Sequence, residues 1–139
     1  MVYKATKAIA EAFEAKGIKH EILELSKTSA VKASFNAKNA PSITVRFISS
    51  DDDSDVSVRI FSFVKVPENK TDAMLVVLND LNKRFRFVRF RLDSDNEVMV
   101  SYDMAVATAD VGNVANEILL RIVKIADEAY PDLMKALWS

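Results

Sequence analysis

Residues 71–103 constrain the fold most, because their hydrophobic period changes once from helical to extended. In the first part, apolar residues recur at steps of three and four, which places them on one side of a helix. These residues are Met74, Val77, Leu78, Leu81 and Phe85. In the second part, apolar and charged residues alternate, as in a strand with one buried face. The stretch therefore predicts a helix followed by an antiparallel hairpin, with its turn at residues 93–96.

The junction between helix and hairpin breaks the alternation. Phe85 and Phe87 share a parity that Val88 and Phe90 do not. Either a β-bulge lies near Phe87, or the strand begins at Val88 and the earlier phenylalanines close the helix end. We favour the second interpretation, because Phe85 also fits the helical stripe.

The flanking sequence predicts three more strands and two more helices. A first helix at residues 2–16 ends before Gly17, which suits a C-cap. Strands are predicted at residues 19–25, 43–47 and 56–66. The third is apolar on both faces near its end, so we place it centrally in the sheet. A last helix is predicted at residues 111–130 with Asp110 or Asn113 as N-cap, after which Pro131 ends it and starts a short new helix.

Residues 26–41 have the least regular pattern in the chain. They are rich in Ser, Lys, Asn and Ala, and Val31 and Phe35 are four apart, which suits one helical turn. We interpret the segment as an irregular connection with partial strand character. A connection of this length is often a binding segment.

Length and composition exclude several classes of protein. The 139 residues predict one domain, residues 1–139, and half of them are hydrophobic, which supplies a sizeable core. The net charge of −1 gives no general attraction to nucleic acid or to an anionic membrane. The absence of cysteine excludes disulfides, thiol catalysis and cysteine-bound zinc. With no long apolar run and no signal-peptide core, we expect a soluble, cytoplasmic protein.

Two acidic clusters resemble the beginning of a calcium loop. They are the run Asp51-Asp52-Asp53 with Asp55, and the run 93–97. A calcium loop needs a glycine at its sharp turn and a closing bidentate glutamate, and both runs lack them. We interpret both as solvated turns, and expect no metal site.

The sequence also predicts that the chain is not an enzyme. His20 is the only histidine, and no G-x-S-x-G turn accompanies it. Two glycines in the whole chain leave no phosphate-cradling loop. We therefore expect no catalytic residue and no cofactor.

A basic cluster precedes and enters the hairpin. It contains Arg84, Arg86, Arg89 and Arg91 with phenylalanines between them, a composition that suits nucleic-acid binding. Alternation, however, places Phe90 on the face opposite Arg89 and Arg91, so the aromatic ring belongs to the core. We therefore expect no nucleic-acid partner.

Two asparagines lie three residues apart on the helix of this stretch. Asn79 and Asn82 are either solvent-facing residues or backbone caps near the helix end. We favour a structural role for Asn82.

The order of elements and several segments resemble the YbjN family, also labelled bacterial sensory-transduction regulators. The segments are Val66-Pro67, Leu78-Asn79-Asp80-Leu81-Asn82, Val88-Arg89-Phe90-Arg91-Leu92-Asp93-Ser94-Asp95, residues 98–103, and Phe13-Glu14-Ala15-Lys16-Gly17-Ile18. None of them is catalytic. One departure is Asn96, where the family often has glycine, although asparagine tolerates a positive φ.

The resemblance implies an α+β fold like that of type III secretion chaperones. It would have two layers, an antiparallel five-stranded sheet with helices on one face, and the order α-β-β-β-α-β-β-α. We expect a non-enzymatic protein-binding module, chaperone-like or regulatory, with a candidate binding face at Phe61, Phe63 and Met99. Its partner would be a protein segment or a second copy in a homodimer. The alternative is a small-ligand sensor with a pocket between sheet and helices, covered by residues 26–41.

Overall fold

The structure, a computed structural model, describes residues 1–50, 55–106 and 110–138. Its elements in chain order are α1 (Lys4–Ala15), β1 (Glu21–Glu24), β2 (Thr28–Asn36), β3 (Ser42–Ser50), β4 (Asp55–Lys65), a 3₁₀ turn (Glu68–Lys70), α2 (Thr71–Arg84), β5 (Arg89–Leu92), β6 (Glu97–Ala105) and α3 (Val111–Trp138). The described strands form one sheet in the order β1-β2-β3-β4-β6-β5, and every neighbouring pair is antiparallel. The α+β class and the antiparallel sheet are therefore confirmed.

The number of strands is a correction. The sheet of the described residues has six strands where the sequence predicted five, because residues 26–41 contain β2. Four of its alternate residues, Ser29, Val31, Ala33 and Phe35, share the parity of the core face. Two of these are only Ser and Ala, and this weak alternation hid the strand. The four-residue spacing of Val31 and Phe35 is therefore an extended period, not a helical turn.

Small residues on β2 let a helix approach the sheet closely. The Thr6 hydroxyl of α1 lies 2.8 Å from Ser29 Oγ and donates a hydrogen bond to Ser49 Oγ of β3 at 3.1 Å. All three side chains are buried. Their mutual hydrogen bonds satisfy polar groups that would otherwise destabilise the core.

The three helices pack on one face of the sheet. The fully buried side chains between the helices and the sheet include Phe13, Phe47, Phe90, Ile122 and Leu133. Gly112 lets α3 contact α1, because a Cβ at this position would lie 2.8 Å from Ala12 Cβ. This two-layer arrangement buries the apolar stripe of each helix on the sheet.

Both turn predictions that involve positive φ are consistent with the geometry. Gly17 has φ +69°, and the N–H groups of Gly17 and Ile18 donate to the carbonyls of Glu14 and Phe13, which is a Schellman motif. In the hairpin turn Asn96 has φ +59°. Its side-chain amide donates to the Val66 carbonyl at 2.8 Å, which fixes the turn to the end of β4.

The junction after α2 differs in part from the favoured interpretation. The β5–β6 register runs without a bulge, and Phe85 follows the last residue of α2 with its ring 6.3 Å from that of Phe90. Phe87 does not close the helix end. It has φ +68° and is 66% exposed, with its ring beside Tyr102 on the helix side of the sheet.

The last helix is continuous through Pro131, which corrects the predicted break. Proline lacks the N–H that would bond to the carbonyl of Asp127, four residues earlier. Asn39 Nδ2 donates to that carbonyl instead, at 3.2 Å. At the other end, the Asn113 N–H donates to Asp110 Oδ1, so Asp110 is the N-cap of the two predicted. No helix of the described residues has both the length and the apolarity that a bilayer crossing needs.

Candidate protein-binding surface

The side of the sheet that faces away from the helices is called the outer face here. The helix contacts described above all lie on the other side. Alternation along the strands places long basic side chains on the outer face at β2, β3, β4 and β5. They are Lys32, Arg46, Arg59, Arg89 and Arg91. The outer face is therefore polar and basic, with a few apolar residues between the cations.

Of the three residues of the predicted binding face, Phe61 alone is exposed on the outer face. Its side chain is 42% exposed. Phe63 lies on the helix side, where its ring contacts Tyr130 of α3 with centres 5.6 Å apart. Met99 has the outer parity but is only 4% exposed. The expectation that all three look outward is therefore wrong for Phe63, and it leaves Phe61 as the accessible apolar side chain of the set.

A bulge in β4 separates the two phenylalanines. Ile60 pairs with Val100 and Val64 pairs with Val98, so three residues of β4 lie opposite Met99 alone. In the middle of the bulge Ser62 has φ +51° and its hydroxyl donates to Glu97 Oε1 at 2.8 Å. The extra residues turn the strand between Phe61 and Phe63. Sequence alternation assumes a regular strand and therefore placed both rings on one face.

The cations of the outer face lie opposite one another. Lys32 pairs with Arg46, Arg46 pairs with Arg59, and Arg59 and Arg89 both pair with Ser101 of β6. We call Lys32, Arg46, Arg59 and Arg89 the cationic row. The row crosses the sheet nearly at right angles to the strands, because directly opposed residues lie side by side.

Two carboxylates neutralise the ends of the cationic row. Lys32 Nζ lies 3.7 Å from Glu21 Oε2 of β1. Asp103 of β6 lies between two arginines. Its Oδ1 is 2.7 Å from Arg59 Nη1, and its Oδ2 is 3.6 Å from Arg89 Nη2. Arg46, in the middle, contacts the Phe61 ring, with its guanidinium carbon 5.8 Å from the ring centre.

A shallow depression of about 320 Å³ lies beside Lys32 and Arg46 of the row. It is lined by Lys32, Thr44, Arg46, Phe61 and Ser62. It combines an apolar ring with cations and hydroxyls, so it offers contacts to both apolar and anionic groups.

His20 lies outside this depression and has structural contacts. Its Nδ1 lies 2.8 Å from the Ile18 carbonyl oxygen, and its ring meets the Phe13 ring edge-on at 6.0 Å. The histidine therefore packs at the end of α1 and is held by that helix's C-terminal turn.

The acidic hairpin turn is stabilised by hydrogen bonds between an aspartate side chain and the backbone of the turn. Carboxylate oxygens of Asp93, Asp95 and Glu97 lie within 4.8 Å of one another. Asp93 Oδ1 accepts the N–H groups of Asp95 and Glu97 at 2.9 and 3.0 Å, which stabilises the turn. The other acidic run, at residues 51–53, lies outside the described residues, and Asp55 begins β4.

The four arginines of the predicted basic cluster do not form one surface. Arg84 lies at the end of α2 and donates to Asp132 of α3 at 3.0 Å. Arg89 and Arg91 lie on the outer face, whereas Phe90 between them is 1% exposed and belongs to the core. The predicted separation of Phe90 from Arg89 and Arg91 therefore agrees with the geometry.

Residues 26–41, which were expected to cover a ligand pocket as a loop, contain strand β2. Residues 28–36 of that segment pair with β3, and residues 29–32 also pair with β1. Two surface grooves lie on the helical layer. One of about 470 Å³ is bounded by α2 and α3, and one of about 630 Å³ lies beside Phe87 and Leu120. Neither groove is lined by a strand of the sheet or by residues 26–41, so neither is the predicted pocket between sheet and helices.

The sequence alone does not group Lys32, Arg46 and Arg59. Each is a single basic residue between two core residues of its strand, so each looks like an ordinary solvated position. Their alignment depends on the register of three strands, one of which was not predicted. Alternation within β3 and β4 contained part of the signal, because Arg46 and Arg59 have outward parity.

A family model matches residues 6–133 of the chain: YbjN, with the description "Putative bacterial sensory transduction regulator". The chain belongs to the YbjN family. The resemblance of the helix-to-hairpin stretch to YbjN proteins is thereby confirmed. No curated protein matches the sequence.

The YbjN chain is also similar to a chain in a solved structure. The structure is titled "Structure of the heterodimeric complex ExoU-SpcU from the type III secretion system (T3SS) of Pseudomonas aeruginosa". Sequence identity is 13%, the alignment covers 95% of this chain and 96% of the other, and the TM-score is 0.44.

Proposed function

We propose that this YbjN-family chain is a non-enzymatic, regulatory protein-binding module, which binds a segment of a partner protein on its outer face. The main support for this proposal is Phe61, a large apolar side chain that is 42% exposed on a central strand of the sheet. It lies in a depression with basic and hydroxyl groups. The family description as a regulator supports the same function.

The outer face suits a protein segment better than a buried small molecule. Its depression is shallow, so a ligand there would remain partly in water. Covering the exposed part of the Phe61 ring contributes about 1 kcal/mol. A useful affinity therefore needs several contacts spread along the face, and an extended chain supplies them.

The proposal has three further parts. The whole chain, residues 1–139, acts as one module. It works in the cytoplasm. It performs no catalysis, and we base this on His20, whose ring nitrogen and ring edge are engaged by Ile18 and Phe13.

The test compares proteins that are captured by wild type and by Phe61→Asp from a bacterial extract, after cross-linking. We expect the variant to lose specific partners, because a carboxylate replaces the ring in the depression. Phe87→Asp is the matched control, since Phe87 is exposed but lies on the helix side. Thermal unfolding of both variants confirms that they are folded. Identical partner recoveries from wild type and Phe61→Asp would contradict the proposal.

We also propose that a second copy can occupy the same face, which would give a homodimer. Light scattering at micromolar concentration should then show a dimer for wild type and a monomer for Phe61→Asp. A monomeric wild type would remove self-association and leave binding of a partner segment to be decided by the capture experiment.

A further inference from the structure

We infer that the bound segment is acidic and lies across the strands along the cationic row. This inference rests on the proposed function and specifies the chemistry of its partner. It is carried by the alignment of four cations on the outer face, by the shortage of carboxylates beside them, and by the position of Arg46.

The alignment of the row is unfavourable without a partner. Side chains of directly opposed residues on neighbouring strands lie about 4.5–5.5 Å apart at Cβ. Lys32, Arg46 and Arg59 occupy such positions on three consecutive strands. Like charges that oppose one another destabilise a sheet, so this arrangement weakens the free protein. An anionic chain bound along the row would remove the repulsion.

The carboxylates within the sheet do not balance the row. Its four cations face two carboxylates, those of Glu21 and Asp103. Asp103 is shared by Arg59 and Arg89. The chain as a whole has a net charge of −1, so the excess of positive charge is local to this row. A ligand with about two negative charges would complete the pairing.

Arg46 is the cation that most needs a partner. In residues 1–50, 55–106 and 110–138, no carboxylate forms a salt bridge with it, and its buried Nε makes no hydrogen bond. Its guanidinium is positioned by the Phe61 ring at the edge of the depression. A carboxylate that enters the depression would meet a preorganised guanidinium, which is the geometry that favours bidentate pairing.

The dimensions of the row indicate the length of the segment. Neighbouring strands are about 4.8 Å apart, so the four intervals from β2 to β5 span about 19 Å. An extended chain advances about 3.3 Å per residue and would cross this distance in about six residues. Acidic side chains at alternate positions would face the cations. One apolar side chain would contact Phe61.

The row favours an acidic peptide over a nucleic acid. Proteins that bind single strands stack successive bases on several aromatic rings beside a basic groove. On the outer face, Phe61 is the exposed ring, and Arg46 lies against it. Phe90 is in the core and Phe87 is on the helix side. The described outer face therefore offers charge complementarity without a stacking platform.

The test is fluorescence anisotropy with labelled eight-residue peptides at low and at moderate salt. One peptide alternates glutamate with serine around a central leucine, and its control replaces each glutamate with glutamine. We expect the glutamate peptide to bind wild type about tenfold more tightly, with an advantage that shrinks as salt rises. The doubly substituted Lys32→Gln/Arg46→Gln should lose about tenfold in affinity for the glutamate peptide, as expected for two lost ion pairs.

Matched variants separate charge from folding. Lys4→Gln/Lys7→Gln makes the same charge change on exposed positions of α1 and should leave the affinity unchanged. Arg46→Lys keeps the charge and should retain the preference for glutamate. Thermal unfolding verifies that each variant is folded.

The remaining outcomes distinguish this inference from the proposed function. Equal affinity for the glutamate and glutamine peptides, both weakened by Phe61→Asp, would overturn the acidic preference and keep a protein-binding face. Absence of binding by every peptide, together with unchanged capture by Phe61→Asp, would overturn both. Row-dependent binding of an oligothymidine that exceeds peptide binding would overturn the inference in favour of nucleic acid.

Discussion

The side-chain amide of Asn82 pairs with both backbone groups of Phe90. The Phe90 N–H donates to Asn82 Oδ1 at 2.7 Å, and Asn82 Nδ2 donates to the Phe90 carbonyl at 3.0 Å. β5 is an edge strand, so these groups would otherwise face away from the sheet without a strand partner. Asn82 therefore acts as a one-residue substitute for a neighbouring strand and connects α2 to β5.

Replacing Asn82 with alanine should lower the free energy of unfolding by about 1–2 kcal/mol, because two hydrogen bonds to an ordered edge strand are lost. Asn79→Ala is the matched control. Asn79 lies three residues earlier on an exposed part of α2, and helix propensity changes equally at both positions. Urea unfolding measures both variants. Equal stabilities of the two would contradict a structural role for Asn82.

Asp127 should make stability depend on pH below neutrality. Its carboxylate accepts the Ala40 N–H at 2.9 Å, and this is the largest cause that lowers the pKa of Asp127. The N–H groups of Asn39 and Lys38, at 2.8 and 3.2 Å, lower the pKa further, and burial opposes them. A lowered folded-state pKa stabilises the protein above the unfolded value of about 3.9, and this contribution is lost as pH falls through the folded pKa.

Asp127→Ala should therefore cost about 1 kcal/mol at neutral pH, a value reduced by the exposure of these hydrogen bonds. The difference from wild type should shrink below about pH 4, where protonation removes the charge in wild type as well. Glu128→Ala, at the exposed neighbouring position, should change stability little at either pH. A gap between wild type and Asp127→Ala that is constant from pH 7 to pH 3 would show that the charge is not involved.

Gly112→Ala should destabilise the protein, although alanine is the better helix former. The new methyl group would lie 2.8 Å from Ala12 Cβ and 3.1 Å from the Ala8 carbonyl oxygen. Separating α1 from α3 should cost about 1–3 kcal/mol, which exceeds the gain of about 1 kcal/mol in helix propensity. Thermal unfolding of Gly112→Ala, Ala12→Gly and the double variant forms a cycle. A positive coupling is expected, and additive effects would place the cause elsewhere.

Pro131→Ala should raise the melting temperature. Alanine restores the N–H that bonds to the Asp127 carbonyl, and that carbonyl has a second lone pair for Asn39 Nδ2. A proline inside a helix costs about 3 kcal/mol, so a gain of about 1–3 kcal/mol is expected after relaxation around the present structure. Pro67→Ala, before the 3₁₀ turn, is the control and should gain nothing. A lower melting temperature for Pro131→Ala would show that the proline is needed at this position.

Local pattern predicted the elements whose residues are strongly periodic. The helix at residues 71–84 and the strands around residues 43–47 and 89–92 follow from spacing alone. Capping chemistry left Asp110 and Asn113 open as the N-cap of α3, and the structure selects Asp110. The sequence predicts a structural role for Asn82 as a backbone cap near the helix end. The structural role agrees, but its partner is the backbone of Phe90 in β5. The YbjN resemblance depends on the same stretch, which is why it could be stated from the sequence.

Local sequence periodicity gave wrong predictions where a residue distant in the chain determines the local structure. α3 continues through Pro131 because Asn39, which is distant in the sequence, replaces the missing N–H. Its side-chain amide donates a hydrogen bond to the Asp127 carbonyl oxygen. β2 was hidden because the approach of α1 selects small residues there, which weakens the alternation. Phe63 turns inward because the bulge between Ile60 and Val64 interrupts the regular alternation of β4.

Local periodicity predicted the fold class and the position of the helix-to-hairpin stretch, because both depend on residues close in the chain, and the resemblance of the segments predicted the family. The side-by-side placement of Lys32, Arg46 and Arg59 follows only from the folded sheet. Register is set by the pairing of strands, which short-range periodicity does not encode. The candidate surface of this YbjN protein is therefore a product of strand pairing, made from residues that look ordinary one at a time.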